Sequence, residues 1–212
     1  MAYQTFLFDL DGTVLDSIEL ILRSYRHTLQ THLGVVPPDE LWLQGLGTPI
    51  WVQLRHWTQD PDQIAAMVET YRTYNMEHHD ALVRAYDGII AVVEELKARE
   101  KLVGLVTSKT RSGAERGLAV TGLAPSFDVI VGADEVVHPK PHPEPVLVAL
   151  DRLSARAEDT VFIGDSRYDL ECGRAAGVAT AAALWGPFDR DDLEELHPDH
   201  WLEQPGDVRA LL

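Results

Sequence analysis

The sequence has a single cysteine, no long apolar run and few basic residues, and each shortage excludes a class of protein. Because Cys172 is the only cysteine among 212 residues, no intrachain disulfide can form, and a reducing compartment is expected. No stretch approaches the ~18 consecutive apolar residues of a membrane span. The chain also lacks a basic segment followed by an apolar one, so we expect no signal peptide and a cytoplasmic protein.

The shortage of basic residues gives the chain a strong negative charge. Its 18 Lys and Arg face 34 Asp and Glu, for a formal net charge of -16. Such a surface repels nucleic acid and anionic lipid, so neither is expected as a partner. It also repels phosphorylated small molecules, so a site for them must supply its own metal ion, lysine or backbone N–H groups. Nothing in the composition favours one oligomeric state over another.

Short apolar runs alternate with helical patterns over most of the chain. The predicted strands are residues 4–10, 102–107, 129–132, 160–164, 179–184 and, less strongly patterned, 200–202. Strands that alternate with helices are typical of a parallel sheet covered on both faces. The sequence therefore predicts a Rossmann-like, doubly wound α/β fold.

Residues 16–85 interrupt this alternation. They contain helical periodicity and loops but no convincing strand, and a helix is predicted to begin near Asp16 and Ser17, either of which could cap it. We therefore predict an α/β core domain of residues 1–15 and 86–212. Residues 16–85 are predicted to form a small helical cap domain inserted after the first strand.

Polar side chains follow the carboxyl ends of four predicted strands, which is the edge where parallel sheets bind ligands. The residues at these positions are Asp9, Asp11, Gly12 and Thr13; Thr107, Ser108 and Lys109; Asp134 and Lys140; and Gly164, Asp165, Ser166 and Asp169. Fold geometry would bring them together at one rim. Each match has a simpler explanation as a turn, a helix cap or a solvated side chain. Four strand ends that together supply groups for binding a metal ion and an anion are, however, rare by chance.

The carboxylates among these residues indicate a metal site. Asp9 and Asp11 are two apart in an extended segment and face the same way, so they repel each other unless a cation lies between them. Magnesium suits such a site because it takes one or two carboxylates together with phosphate oxygens and water. Asp165 could be a further ligand and Asp169 could support it from outside. Gly12 would let the backbone turn and offer N–H groups to an anion.

Two further strand-end groups could bind an anion. Lys140 lies between prolines, which restrict its backbone and could aim its ammonium inward. Thr107 offers a hydroxyl and an N–H group. The simpler alternatives are a solvated lysine and a hydroxyl that bonds its own strand end.

Taken together, four segments resemble the motifs of the haloacid dehalogenase superfamily of phosphatases. They are Phe8-Asp9-Leu10-Asp11-Gly12-Thr13, Val106-Thr107-Ser108, Lys140-Pro141, and Ile163-Gly164-Asp165-Ser166-Arg167-Tyr168-Asp169. The resemblance implies that Asp9 attacks phosphorus to form an aspartyl-phosphate and that Asp11 is the general acid and base. It also implies that Mg²⁺ is bound by the Asp9 carboxylate, the Asp11 backbone carbonyl and Asp165. Asp169 would support these ligands. The implied phosphate-binding residues are Gly12, Thr107, Ser108 and Lys140.

A finer similarity concerns the substrate, which is expected to be a small phosphorylated molecule. The helical insertion resembles that of the phosphoglycolate phosphatase branch. Several segments resemble the inorganic pyrophosphatases associated with the HPr kinase/phosphorylase; they are Tyr71-Arg72, Asn75, His78-His79-Asp80, Leu82-Val83 and Glu144-Pro145. Pyrophosphate is therefore the first expectation. A phosphatase for phosphoglycolate or another small phosphomonoester, and a sugar phosphomutase, are the alternatives.

Three residues of the predicted cap are candidates for substrate contact. Arg23 could reach an anion, although a surface ion pair is its simpler role. Gln44 precedes the loop Gly45-Leu46-Gly47-Thr48, which contains Gly47 and could move over the site as a lid.

Overall fold

The computed structural model describes residues 2–212, so Met1, which the predicted core segment includes, lies outside the described residues. Six strands form one parallel sheet in the order β5-β4-β1-β6-β7-β8. The strands are β1 (Thr5–Phe8), β4 (Leu102–Val106), β5 (Val129–Val131), β6 (Thr160–Gly164), β7 (Ala179–Ala183) and β8 (His200–Leu202). The predicted doubly wound α/β fold is confirmed.

Helices cover both faces of this sheet because side chains on each strand alternate between them. On β1, Phe6 and Phe8 pack into one apolar cluster, whereas Leu7 packs into the other. The helices of the chain are α1 (Ile18–Leu33), α2 (Glu40–Leu43), α3 (Ile50–Leu54), α4 (Pro61–Leu82), α5 (Ile89–Ala98), α6 (Arg111–Val120), α7 (Glu144–Leu153), α8 (Arg167–Ala176) and α9 (Arg190–Leu193). Short 3-10 helices lie at Ala124–Ser126, Ala133–Glu135, Ala157–Asp159, Glu194–Leu196 and Pro205–Leu211.

Helices α1 to α4 pack around an apolar cluster of their own. Tyr25 of α1 stacks on Trp42 of α2 with a 4.1 Å centroid separation, and Met67 of α4 is fully buried beside them. Phe188, from the region after β7, also packs on this cluster. The helices occupy the segment predicted as a cap, and its division from the core as a separate domain stays a proposal.

The expectation that residues 16–85 contain no strand is wrong at both ends of the segment. Leu15–Asp16 (β2) pairs antiparallel with Arg84–Ala85 (β3), so a two-stranded ribbon joins the entry and exit of the helical segment. Strands of two residues are too short for periodicity to reveal. Within residues 2–212, no helix is both long and apolar enough to span a bilayer.

Candidate active site

Two neighbouring central strands place the first two carboxylates side by side. Phe8 of β1 is in register with Ile163 of β6, and the N–H of Asp9 donates to the Ile163 carbonyl at 2.9 Å. Asp9 and Asp165 therefore leave the same edge of the sheet on adjacent strands. Asp169, in the first turn of α8, completes a group in which one carboxylate oxygen of each residue lies within 4.8 Å of one oxygen of each of the others. All three are at most 4% exposed.

The ammonium of Lys140 contacts two of these three carboxylates. Its ammonium donates to Asp9 Oδ1 at 2.8 Å and to Asp169 Oδ1 at 2.6 Å, and the residue is only 3% exposed. Burial alone would lower the pKa of Lys140, but the charges of Asp169 and Asp9 outweigh it and raise that pKa above its usual value. Lys140 therefore stays protonated, and the alternative of a solvated lysine is excluded by its burial.

The buried cluster holds more carboxyl groups than positively charged groups. Three carboxylates face one ammonium, and burial raises the pKa of Asp9 to about 7 although Lys140 opposes the shift. Burial, with the charges of Asp169 and Asp9, likewise raises the pKa of Asp165. A protein tolerates such an imbalance where a metal ion supplies the missing charge.

The donor atoms of the cluster fit a divalent cation. Asp165 Oδ1 accepts a hydrogen bond from the Thr13 hydroxyl at 2.6 Å, but Asp165 Oδ2 is buried without a hydrogen-bond partner among the described residues. Among residues 2–212, Asp9 Oδ2 likewise has no hydrogen-bond partner, and Lys140 donates only to Oδ1. Two carboxylate oxygens on adjacent strands are thus free to bind a hard cation. Asp169 is different, because its Oδ2 accepts from the N–H of Ser166 at 3.0 Å and its Oδ1 from Lys140.

Gly12 is required beside this cluster for two reasons. Its φ of +87° lies in the left-handed region that glycine tolerates best, and an added Cβ would collide with the Asp165 carboxylate. Gly186 makes a similar close approach that the sequence did not indicate, since a Cβ there would lie 2.6 Å from Asp165 Cβ. The backbone is therefore held close to Asp165 from two sides.

The side chain of Asp11 is directed to other partners than the cluster. Its Oδ1 accepts from Lys109 and from Ser17, a serine that makes no cap hydrogen bond to α1. The sequence placed Lys109 among the strand-end polar residues but gave it no role at the site, and Ser17 carried only a capping signal.

The other predicted residues lie at the same edge with different contacts. Thr107 is buried, and its hydroxyl accepts from the N–H of Lys109 at 3.1 Å. Ser108 donates from its hydroxyl to the Gly47 carbonyl at 2.5 Å. Asp134 is not part of the group, because its carboxylate accepts from the Arg111 N–H at 2.7 Å.

Two of the three predicted cap residues contact the core, both through backbone atoms. The Gln44 carbonyl accepts from the Tyr168 hydroxyl at 3.2 Å. Gly47 has a φ of +100°, and a Cβ there would lie 2.5 Å from Ser166 Oγ. Arg23 is exposed and pairs with Glu19 of the same helix at 2.7 Å.

Comparison with known sequences finds close relatives along the whole chain. The family model of the haloacid dehalogenase-like hydrolases matches residues 6–183. Pyrophosphatase PpaX of Anoxybacillus flavithermus is 37% identical over 212 residues, covering 100% of this chain and 98% of the relative. Pyrophosphatase PpaX of Bacillus cereus (strain G9842) is 38% identical, covering 100% and 97%.

Solved structures point to the same family as the sequence comparison. A haloacid dehalogenase-like family hydrolase from Streptococcus pneumoniae has a TM-score of 0.84 at 28% identity, with coverage of 98% and 97% of the two chains. A candidate phosphoglycolate phosphatase from Lactobacillus plantarum has a TM-score of 0.89 at 26% identity and covers both chains completely, at 100% each. The resemblance carried by the four sequence motifs is thereby confirmed. The chain belongs to the haloacid dehalogenase-like hydrolases, and it is a phosphatase of that family.

Proposed function

We propose that the protein is a magnesium-dependent inorganic pyrophosphatase that transfers a phosphoryl group first to Asp9 and then to water. The observation that carries the proposal is the buried group of Asp9, Asp165 and Asp169 around Lys140, with one free oxygen on each of the first two. A site of this kind binds a divalent cation and the anion that the cation attracts. The net charge of -16 would otherwise repel that anion.

Asp9 and Asp165 would hold the cation, with the Asp11 carbonyl as the third protein ligand and Asp169 supporting the group. Magnesium is the proposed ion because these donors are all hard oxygens and leave coordination positions for phosphate and water. When bound, it would neutralise charge on the phosphoryl oxygens of the substrate.

Asp9 would act as the nucleophile through one carboxylate oxygen, while its other oxygen would contact the cation. Lys140 donates to Oδ1 at 2.8 Å, which orients the carboxylate. Attack on phosphorus forms an aspartyl-phosphate and breaks the bond to the leaving phosphate. Water then attacks the same phosphorus and regenerates the Asp9 carboxylate. Splitting one displacement into two covalent steps lowers each barrier.

Lys140 and Thr107 would stabilise the transferred phosphoryl group. The ammonium of Lys140 is fixed and desolvated beside the nucleophile, so it needs little reorganisation when negative charge develops there. Thr107, Ser108 and the backbone of Gly12 lie at the same edge and would supply hydrogen bonds to the remaining oxygens.

Asp11 would serve as the general acid and base. It would protonate the leaving oxygen in the first step and take a proton from the attacking water in the second. Its contacts with Lys109 and Ser17 hold the carboxylate in one orientation.

Pyrophosphate is the proposed substrate because two relatives of about 38% identity over the full chain bear the name pyrophosphatase PpaX. The loop of residues 44–48 contacts the core through the Gly47 carbonyl and Ser108, and so would limit the room above the phosphate site. A phosphomonoester phosphatase is the second candidate, favoured by the similarity to the candidate phosphoglycolate phosphatase.

A substrate panel tests the choice between these candidates. We expect kcat/KM for pyrophosphate to exceed that for phosphoglycolate, sugar phosphates and nucleoside monophosphates by at least about tenfold, or roughly 1.4 kcal/mol of transition-state stabilisation. Preference for an organic monoester would reject pyrophosphatase but leave the phosphatase assignment standing. Phosphorus NMR of the products would reveal a phosphomutase by a sugar phosphate isomer in place of free phosphate.

Metal removal tests the proposed cofactor. We expect EDTA to abolish turnover and Mg²⁺ to restore it, since one ammonium among three carboxyl groups supplies too little positive charge to bind the anion. Ca²⁺ should bind without supporting turnover and should inhibit in competition with Mg²⁺, because its larger and looser coordination shell misplaces the nucleophile. Turnover at the full rate in EDTA would contradict the metal assignment.

A further inference from the structure

A second group of metal-binding side chains lies on the loop that carries Lys140. His138, His142 and Glu144 each present a ligand atom, and these atoms all lie within 4.8 Å of one another. Both histidines are exposed and Glu144 is half-buried. None of the three takes part in the proposed phosphoryl transfer.

The two imidazoles are already gathered around Glu144. His138 Nδ1 is 2.8 Å from Glu144 Oε2, and the two rings have a centroid separation of 4.6 Å at 34°. The N–H of Glu144 donates to His142 Nδ1 at 3.2 Å, so that nitrogen carries its lone pair on the side facing Glu144. Nitrogen and oxygen donors therefore converge on one small volume.

Glu144 is held in place and kept anionic by the loop itself. Its Oε1 accepts from the Val137 N–H at 2.8 Å, and its Oε2 accepts from the His138 N–H at 3.0 Å. The first of these bonds, together with the contact to His138, lowers the pKa of Glu144 below its usual range. Binding a cation would not require this carboxylate to be ordered anew, which reduces the entropic cost of forming the site.

We propose that His138, His142 and Glu144 form a second metal site, which binds a divalent transition ion of the zinc type. Two imidazoles and one carboxylate are ligands that Zn²⁺ prefers and Mg²⁺ does not, and three protein ligands leave one position for water. A tetrahedral site needs about 3.4 Å between ligand atoms, given zinc bonds of ~2.0–2.1 Å. Small rotations of exposed side chains would close the remaining gap.

The two sites share a loop but face different environments. The side chain of Lys140 is 1% exposed and directed at Asp9, whereas that of His138 is 62% exposed. An ion bound by His138 and Glu144 would tie together the two ends of the turn that carries Lys140. The site stands on this geometry alone, so it does not depend on which phosphorylated substrate the enzyme takes.

The test compares zinc binding by tag-free protein before and after removal of the two imidazoles. The variants are His138→Ala, His142→Ala and their combination, and the matched control is His56→Ala, another exposed histidine beside an aromatic ring. Zinc affinity is measured by competition with a chromophoric chelator in excess Mg²⁺, which keeps zinc from the Asp9 cluster. We expect one zinc per chain, bound at least about tenfold more weakly by the double variant and unchanged in the control.

The identity of the ligands is read by NMR of the imidazole protons. Zinc should shift or broaden the resonances of His138 and His142 and leave that of His56 unchanged. Melting temperatures measured without zinc check that each variant folds, and the single variants serve if the double variant does not. The proposal would be overturned if wild type and both single variants bound zinc with equal affinity. It would also be overturned if zinc shifted only the resonances of other histidines.

Discussion

The Asp9→Asn variant is expected to lose at least about a thousandfold in kcat while remaining folded. Asparagine is nearly isosteric with aspartate and keeps an oxygen for the bond from Lys140, but its amide does not attack phosphorus. The substitution also removes one of three buried carboxylates that face a single ammonium. The melting temperature without metal should therefore stay the same or rise. Phosphate release and differential scanning calorimetry measure the two effects.

A second aspartate provides the control for this variant. Asp151 is exposed on α7, so Asp151→Asn makes the same chemical change away from the cluster and should leave both kcat and the melting temperature unchanged. Wild-type turnover by Asp9→Asn would exclude Asp9 as the nucleophile. A large fall in its melting temperature would instead mean that the carboxylate stabilises the fold, which contradicts the excess of carboxyl groups over positive groups described above.

Replacing Lys140 with methionine is expected to damage both stability and activity. The change leaves Asp9 and Asp169 buried without their cation, and removing one partner of a buried ion pair costs about 3–5 kcal/mol. For a chain of this size that cost lowers the melting temperature by roughly 6–20 °C. Urea denaturation in EDTA measures the free energy of unfolding, and steady-state assays in Mg²⁺ should show kcat at least about a hundredfold lower.

A double variant separates lost charge from lost packing. Adding Asp169→Asn to Lys140→Met removes a carboxylate that would otherwise be unpaired, so it should restore at least about 1 kcal/mol of the lost stability. Activity should not return, because the ammonium beside Asp9 is still missing. Strictly additive destabilisation by the two changes would show that Lys140 and Asp169 do not form the energetic pair that their 2.6 Å contact indicates.

The α/β fold could be predicted because each strand is a short apolar run bounded by turn residues. The runs that became β4, β6 and β7 are buried almost throughout, as a sheet covered on both faces requires. The order of the strands was harder to predict. Strand β1 lies between β4 and β6 and pairs with residues about 100 and 155 positions away, which is beyond the range of any local pattern. The ribbon of Leu15–Asp16 and Arg84–Ala85 escaped prediction for the same reason.

The candidate site was predicted as a set of residues, but its connections were not. Asp9, Lys140, Asp165 and Asp169 could be selected because they follow strand ends or stand in restricted loops, and the fold places those ends together. The contacts of Asp11 could not be predicted. Lys109 and Ser17 reach that carboxylate from different segments, and nothing in the local sequence requires either to do so.

By itself the sequence determined the residue types of the site, the order of its motifs and the number of carboxyl groups that it holds. Only the tertiary structure decided which oxygens are free. It buries Lys140 between Asp9 and Asp169, and it leaves Asp165 Oδ2 unpartnered among the described residues. The physical reason is that composition and spacing fix which groups are available locally. Burial and hydrogen-bond partners depend on contacts between distant segments, which form only when the sheet assembles.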